Sequence, residues 1–356
     1  MEDLVASALA GKRVLVTGDT GFKGSWLSLW LHDVGADVLG VALPPKTPED
    51  HFNVAGLANA ITHVDCDIRD FSAFAAAVGR FQPEVVFHLA AQALVKESYA
   101  NPKATFDTNV GGSLNVLEWV RQTGSVKALV LVTSDKCYQN NNWVWGYREN
   151  DQLGGDDPYS ASKAAAELVF AAYQKSFFAG RDTLGATSVR AGNVIGGGDW
   201  SADRLVPDCV RALSANNPII LRSPQSTRPW QHVLEPLSGY LQLASKLLET
   251  PQTYAGSWNF GPHPDGGHTV LEVAESLAQG WPEGEIRIEA GDSSQPEAGL
   301  LQLSIEKARS GLAWAPRWGF QDTMTHTVDW YKRVHAGELA RDVSMSQLNL
   351  YREATA

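Results

Sequence analysis

Short apolar runs alternating with stretches of helical periodicity occupy the first half of the chain, and nothing else in the sequence narrows the fold as much. The runs lie at residues 13–17, 37–43, 61–66, 84–89, at the start of 129–138, and at 186–190. Between them a helix starts near Gly21, carries Trp26, Leu27, Trp30 and Leu31 at helical spacing and stops at Gly35. Further helices are expected at 71–80, 103–122 and 158–178. Apolar strands joined through helices are covered on both faces, so the expectation is a parallel sheet with right-handed crossovers and helices on each side. In such sheets ligands bind at the carboxyl ends of the strands. The stretch 129–138, LVLVTSDKCY, places Thr133, Ser134, Asp135 and Lys136 at that edge.

After Arg190 the texture changes. Glycines 196 to 198 and prolines 207, 218, 224 and 229 break the chain into shorter pieces, and a helical run returns only at 235–248. Residues 1–190 are therefore expected to form a nucleotide-binding domain and residues 191–356 mainly a smaller substrate lobe, with segments around 228–260 able to return to the sheet. A formal net charge of -11 excludes a protein that holds nucleic acid through a basic face. Cys66, Cys137 and Cys209 are odd in number and widely spaced, which fits neither a disulfide framework nor a zinc site and points to a reducing cytoplasm. No run is long and apolar enough to span a membrane, and the amino terminus lacks the pattern of a secretory signal.

Thr17-Gly18-Asp19-Thr20-Gly21-Phe22-Lys23-Gly24 sets three glycines three apart between a strand and a helix. Glycine permits the tight turn and lets a diphosphate approach the backbone, while the helix start offers unpaired N–H groups and the positive end of a dipole. A dinucleotide is the expected ligand. The acid that grips the adenosine ribose about 20 residues further on is missing: Leu43, Pro44, Pro45 and Lys46 stand there, so this stretch leaves NAD and NADP open. Asp67, after the third run, faces the adenine or caps the next helix. His88 reads as a packed core histidine, and the small residues after it let a cofactor lie close.

Tyr159 and Lys163, four apart, share a helical face. An ammonium beside a phenol favours the phenolate, which can take a proton from a sugar hydroxyl while hydride leaves the carbon. Tyr99 and Lys103 repeat the spacing, but Pro102 lies between them, whereas Pro158 precedes Tyr159 where a helix start tolerates it. With Thr133 at a strand end, the expected hydride-transfer set is Thr133, Tyr159 and Lys163.

These motifs, with the HLAAQ segment at 88–92, resemble the extended short-chain dehydrogenase/reductase family of NAD-dependent epimerases and dehydratases. Long strings carry a narrower likeness to its nucleotide-sugar dehydratases: TGFKGSWLSLWL from Thr20, TSDKCYQNNNWVWGYRE from Thr133, GNVIGGGDWSADRLVPD from Gly192 and QPEAGLLQLS from Gln295. The resemblance implies a Rossmann-like doubly wound sheet, bound NAD and a nucleotide sugar, CDP-glucose, as substrate, with a homodimer or homotetramer and no metal. Gly18, Thr20, Gly21, Phe22, Lys23, Gly24, Asp67, Ile68, Leu89, Ala90, Ala91, Gln92, Thr108, Tyr159 and Lys163 are then expected on the cofactor. Ser98, Asn193, Arg204, Arg228 and Glu297 are expected on the substrate, the arginines at its diphosphate and Asn193 with help from the glycine run 196–198. Asp135 corresponds to the acid that protonates the departing C6 hydroxyl. Lys136 stands where the wider family has a glutamate and is expected as the C5 base, or as a partner of Asp135 that stabilises the enolate. The same likeness pairs helices 103–122 and 158–178 between subunits, with Ala164, Leu168, Val169 and Ala172 serving that interface or the core.

Overall fold

The computed structural model describes residues 2–263, 267–281, 284–289 and 300–354. Its central sheet has seven strands, all parallel: β1 (Arg13–Thr17), β2 (Asp37–Ala42), β3 (Thr62–Asp65), β4 (Val85–His88), β5 (Ala128–Val132), β6 (Gly185–Arg190) and β7 (Gly256–Asn259). Their order is β7-β6-β5-β4-β1-β2-β3. The chain reverses direction across the sheet between β1 and β4, which opens a crevice where Thr17 and His88 lie in register. Every residue of β4, β5 and β6 is buried, as continuous apolar strands between two helical layers require. β7 is the one strand of this sheet that residues 1–190 do not supply. It comes from the second half and covers β6, which would otherwise be an open edge.

Two helices differ from their expected form. The 103–122 stretch starts at Pro102 and includes a π-helical segment, Asp107–Gly112, before the regular helix Ser113–Gln122. Pro102 begins its helix, and Tyr99 belongs to a separate one, Val95–Ala100, so the second tyrosine-lysine pair is broken as proline requires. The helix Pro158–Tyr173 likewise ends in a π segment, Gln174–Phe178.

After β6 the chain returns to the sheet through the helix Leu234–Glu249, which packs on β5 and β6, and through β7, and its later part folds back on the first half. Val194–Ile195 pairs with Gln231–His232, and Thr227–Arg228 with His268–Thr269. Two late helices, Phe320–His335 and Ala340–Glu353, return to the first: buried His51 bonds Ser25 through Nδ1 (2.9 Å) and Ser344 through Nε2 (3.0 Å) and stacks on Trp26 at 4.7 Å. The glycine run 196–198 serves this seam. A Cβ on Gly197 would lie 2.0 Å from the Trp330 ring, one on Gly198 2.6 Å from His51, and the Gly197 carbonyl accepts from Trp26 Nε1 (2.9 Å). Its glycines leave room for the Trp330 and His51 rings, and the Gly197 carbonyl is taken by Trp26. No helix among the described residues is long and apolar enough to cross a membrane.

Candidate active site

The glycine turn leaves β1 and runs into the helix Phe22–Asp33. Gly18 has φ +78, and a Cβ there would come within 2.6 Å of the Ala90 backbone nitrogen; one on Gly24 would lie 2.0 Å from the Gly18 carbonyl oxygen. Both contacts are with backbone, so the turn, the helix and the loop after β4 close on one another only because side chains are missing. No side chain caps the helix start at Gly21, whose first-turn N–H groups are left for an anion. Thr20 donates to the Leu43 carbonyl (2.8 Å), tying the turn to the end of β2. The cradle thus suits a dinucleotide diphosphate, with Leu89 to Gln92 as its far wall. Gln92 is held on all sides: its side chain bonds Leu94 and Thr105, and its backbone N–H and carbonyl bond the Asn109 side chain at 2.8 Å and 3.0 Å.

Asp67 lies beyond β3, bonded to its neighbour Arg69 at 2.9 Å and 3.0 Å through Nε. The cap of the helix Phe71–Gly79 is Asp70, so a capping role for Asp67 is ruled out. Ile68 is buried against Gly112, and Thr108 sits partly buried in the π segment. His88 is a core histidine: it meets Thr17 Oγ1 at 2.6 Å and Ser113 Oγ at 3.0 Å, and burial pulls its pKa down to about 3.

Asp157 caps the helix Pro158–Tyr173 by accepting from Ser160 N–H at 2.9 Å, which fixes where Tyr159 and Lys163 project. Both are buried. Burial pushes the Tyr159 phenol up to about 12, against a hydrogen bond with Ser134 that lowers it. Burial also draws Lys163 down to about 8. Tyr159 is therefore neutral near pH 7, whereas Lys163 still carries most of its charge there but loses it more readily than an ordinary lysine.

The hydroxyl beside Tyr159 is that of Ser134, a correction to the expected triad. Thr133 turns the other way, into the sheet, where its Oγ1 donates to Glu167 Oε1 at 2.5 Å and to the Val189 carbonyl at 3.3 Å. Successive residues of a strand point to opposite faces, so moving one position exchanges a core hydroxyl for a cleft hydroxyl. Glu167 is fully buried; it also accepts from Ser188 Oγ (2.8 Å) and Arg190 (2.7 Å), and Arg190 reaches the Tyr138 hydroxyl at 2.6 Å. This paired network underpins the loop of Ser134 to Tyr138 from below.

Ser134 Oγ donates to Asp135 Oδ1 at 2.9 Å and accepts from Lys136 N–H at 3.2 Å. Asp135 is buried against Gly192, where a Cβ would lie 1.9 Å from Oδ2, and Asn193 Nδ2 stands 3.4 Å from the same oxygen. Asn193 has φ +51, a left-handed conformation that asparagine tolerates. Lys136 is partly buried beside this group. Lys23 also belongs here: burial lowers it to about 7, and the charges it feels are Arg204, Asp135 and Lys163. Arg204 pairs with Asp199 at 3.0 Å and lies within electrostatic reach of Tyr159. Arg228 lies on the short strand Thr227–Arg228 and donates to the Thr227 carbonyl at 2.7 Å. Ser98 is removed from the substrate set, because it is buried and donates to the Val95 carbonyl of its own helix at 2.6 Å. Glu297 lies outside the described residues. Among the described residues no cluster of three metal-ligating side chains occurs.

Residues 14–255 match the family described as NAD dependent epimerase/dehydratase family. The chain belongs to that family. Within it, the chain is 46% identical over 97% of its length to a CDP-glucose 4,6-dehydratase of Salmonella typhimurium, covering 97% of that relative. It is 24% identical to a CDP-paratose 2-epimerase of Salmonella typhi, over 90% of this chain and all of that one. A solved UDP-glucose 4-epimerase of Thermus thermophilus in complex with NAD superposes with a TM-score of 0.75 at 28% identity, covering 90% of this chain and 99% of that one. A dTDP-glucose 4,6-dehydratase of Bacillus anthracis with NAD gives the same TM-score at 22% identity, over 90% and 97%, a likeness of fold. The glycine turn and the tyrosine-lysine helix meet here with an acid and a lysine at the end of β5.

Proposed function

We propose that the chain is an NAD-dependent 4,6-dehydratase that converts CDP-glucose to CDP-4-keto-6-deoxyglucose. The observation that carries this reading is the juxtaposition of Asp135 and Lys136 with Ser134, Tyr159 and Lys163, in a chain that matches a CDP-glucose 4,6-dehydratase along nearly its whole length. NAD held in this cradle would supply the hydride acceptor for C4 and, once reduced, the donor for C6, so that no external reductant is needed. The glycine turn, the uncapped helix start and the loop 89–92 hold the dinucleotide. Lys163 supports it and Tyr159, while Arg204 and Arg228 bind the substrate diphosphate from the lobe, with Asn193 beside the sugar.

Tyr159 takes the C4 hydroxyl proton with Ser134 holding the same oxygen. The ketone acidifies C5; Lys136 removes that proton and Asp135 protonates the C6 hydroxyl, which departs as water. A 4-epimerase of this fold has no elimination to perform, and a cofactor-sensing protein has no use for the tyrosine, so the acid and lysine favour the dehydratase. The two halves divide the work as nucleotide-binding sheet and substrate lobe. The free thiols of Cys66, Cys137 and Cys209 suit a reducing cytoplasm.

Assembly follows from one apolar face. Leu114 on the helix Ser113–Gln122 and Leu168 and Phe177 along 158–178 are exposed, Leu168 to 61%. Ala172 joins them, whereas Ala164 is buried. We propose that a second copy covers this face. The functional test is incubation of the NAD-loaded protein with CDP-, dTDP-, GDP- and UDP-glucose. CDP-glucose is expected to give a base-induced 4-keto chromophore without net reduction of cofactor, and a protein that acts on none of the four does not have this activity.

A further inference from the structure

The glycine turn carries a carboxylate that the proposed chemistry does not use. Asp19 follows Gly18, and its side chain is fully buried. It packs on β2, where a Cβ on Gly40 would come within 2.0 Å of its Oδ2. Its partner is His63 on β3, whose Nδ1 stands 2.7 Å from that oxygen. The other ring nitrogen, Nε2, stands 3.1 Å from Asp65 Oδ1. Asp19 Oδ1 is buried without a hydrogen-bond partner among the described residues, so the bond from His63 is what holds this carboxylate.

A carboxylate oxygen at each ring nitrogen decides the state of the ring. A neutral imidazole has one N–H and can serve only one of them, whereas an imidazolium donates to both. The bonds to Asp19 and then to Asp65 raise the His63 pKa against a partial burial that lowers it, and burial raises that of Asp19. The charged groups facing His63 are Asp19 from the turn and Asp65 from its own strand. Gly40 of β2 lies in register beside it, and the Phe52 ring of the helix His51–Val54 covers it at 5.1 Å. Whichever of the two groups binds it, one proton makes the Asp19–His63 pair neutral, and its loss leaves a negative charge in the turn.

We propose that Asp19 and His63 form a charge clamp on the glycine turn, and that the proton they share sets how tightly the turn holds NAD. This rests on the NAD site and not on the identity of the sugar. The free N–H groups at the start of the helix Phe22–Asp33 favour an anion, here the dinucleotide diphosphate, and a net negative charge one residue after Gly18 opposes it. Gly18 N–H, bonded to the Val41 carbonyl at 2.9 Å, and the Thr20 hydroxyl tie the turn to β2; the bond from His63 extends that tie to β3. With the proton in place the turn is both anchored and neutral at Asp19. Once it leaves, the anchor weakens and the turn repels its ligand. Linkage gives the converse: NAD favours the protonated pair, so binding takes up a proton wherever the pair is partly empty.

The test titrates binding and the histidine together. NAD affinity of the cofactor-free protein is measured by calorimetry from about pH 6 to about pH 9, in two buffers of unlike ionisation enthalpy so that proton uptake is counted. Lys23 and Lys163 titrate in this range, at about 7 and about 8, so the reading is the difference between native and variant proteins. Native protein is expected to take up protons on binding and to lose affinity by about 5-fold or more across the His63 titration. His63→Asn, whose amide can stand in for Nδ1–H without a charge, should bind weakly at the acid end and lose this part of the pH dependence. Asp19→Asn should bind more tightly than native protein at the alkaline end. In parallel the His63 ring protons are followed by nuclear magnetic resonance, assigned by their absence in His63→Asn. They should titrate lower in Asp19→Asn and higher when NAD saturates the native protein. Equal pH dependence in native and His63→Asn protein, or a His63 titration that NAD leaves in place, overturns the clamp. So does weaker binding by Asp19→Asn at every pH, which makes the pair a structural tie alone. If none of the proteins binds NAD, it is the cofactor site that fails, and a lower His63 titration in Asp19→Asn distinguishes that outcome from a pair that does not exist.

Discussion

Thr133 and Ser134 are adjacent hydroxyls with unlike jobs, and their separation can be measured. Thr133→Val leaves Glu167 without one of its donors and is expected to cost roughly 1–3 kcal/mol of stability, read in a denaturant titration, while C4 oxidation persists. Tyr159→Phe should instead leave stability close to native and reduce C4 oxidation by about 10²-fold or more, measured in a single turnover. Sequence alone could not separate the two hydroxyls, since a strand end is legible only to within a residue or two and one residue reverses the face. The signal that was available is the alternation itself: Thr133, just past β5, continues its alternation into the core, so Ser134 is the first hydroxyl free to enter the cleft. Ser98 was misread for a related reason, because a serine in a short helix satisfies its own backbone as readily as a ligand.

The elements were more legible than their side chains. β1, β2, β4, β5 and β6 stand within a residue of their expected bounds, since buried apolar runs between glycine and proline leave few alternatives. β7 was harder to foresee: Gly256–Asn259 is four residues in an irregular half and owes its strand to the open edge of β6. The glycine turn makes the firmest prediction at this scale. Gly24→Ala drives a methyl into the Gly18 carbonyl, a backbone atom that can move only with the turn. It should weaken NAD binding at least about 10-fold, consistent with a packing clash of about 1–3 kcal/mol, as read by calorimetric titration. Leu168→Glu on the exposed helix face is expected to yield a monomer in light scattering, with the secondary structure unchanged.

At the scale of the whole molecule, burial of ionisable groups sets the response to acid. His51 and His88 have pKa values of about 3 in the folded chain, and His232 lies well below its ordinary value, all chiefly through burial. A histidine whose folded pKa is depressed contributes stability above the unfolded value, near 6.5, and loses it as pH falls toward the folded one. Glu235 opposes them: burial raises it to about 7, although Trp318 N–H and the Tyr351 hydroxyl bond to it, so its contribution is lost as pH rises from 4.5 through 7. Near pH 5 the three histidines outweigh Glu235, so among these four groups unfolding takes up protons and stability falls with acid. Unfolding free energies across pH 4.5–6.5 test this, and a flat profile would refute the assignment of neutral buried histidines.

The placement of β7 also sets the order in which the protein can come into being. On the ribosome, β6 emerges well before Gly256–Asn259, and the helix that closes on His51, Ala340–Glu353, emerges later still. Until then the growing chain carries an unpaired strand edge beside a half-built cleft, the kind of surface that recruits chaperones or neighbouring chains. A ribosome-stalled chain ending before residue 256 should accordingly be more open to protease than one that includes β7 and the helix Ala340–Glu353, because the contact with His51 can form only once that helix has emerged.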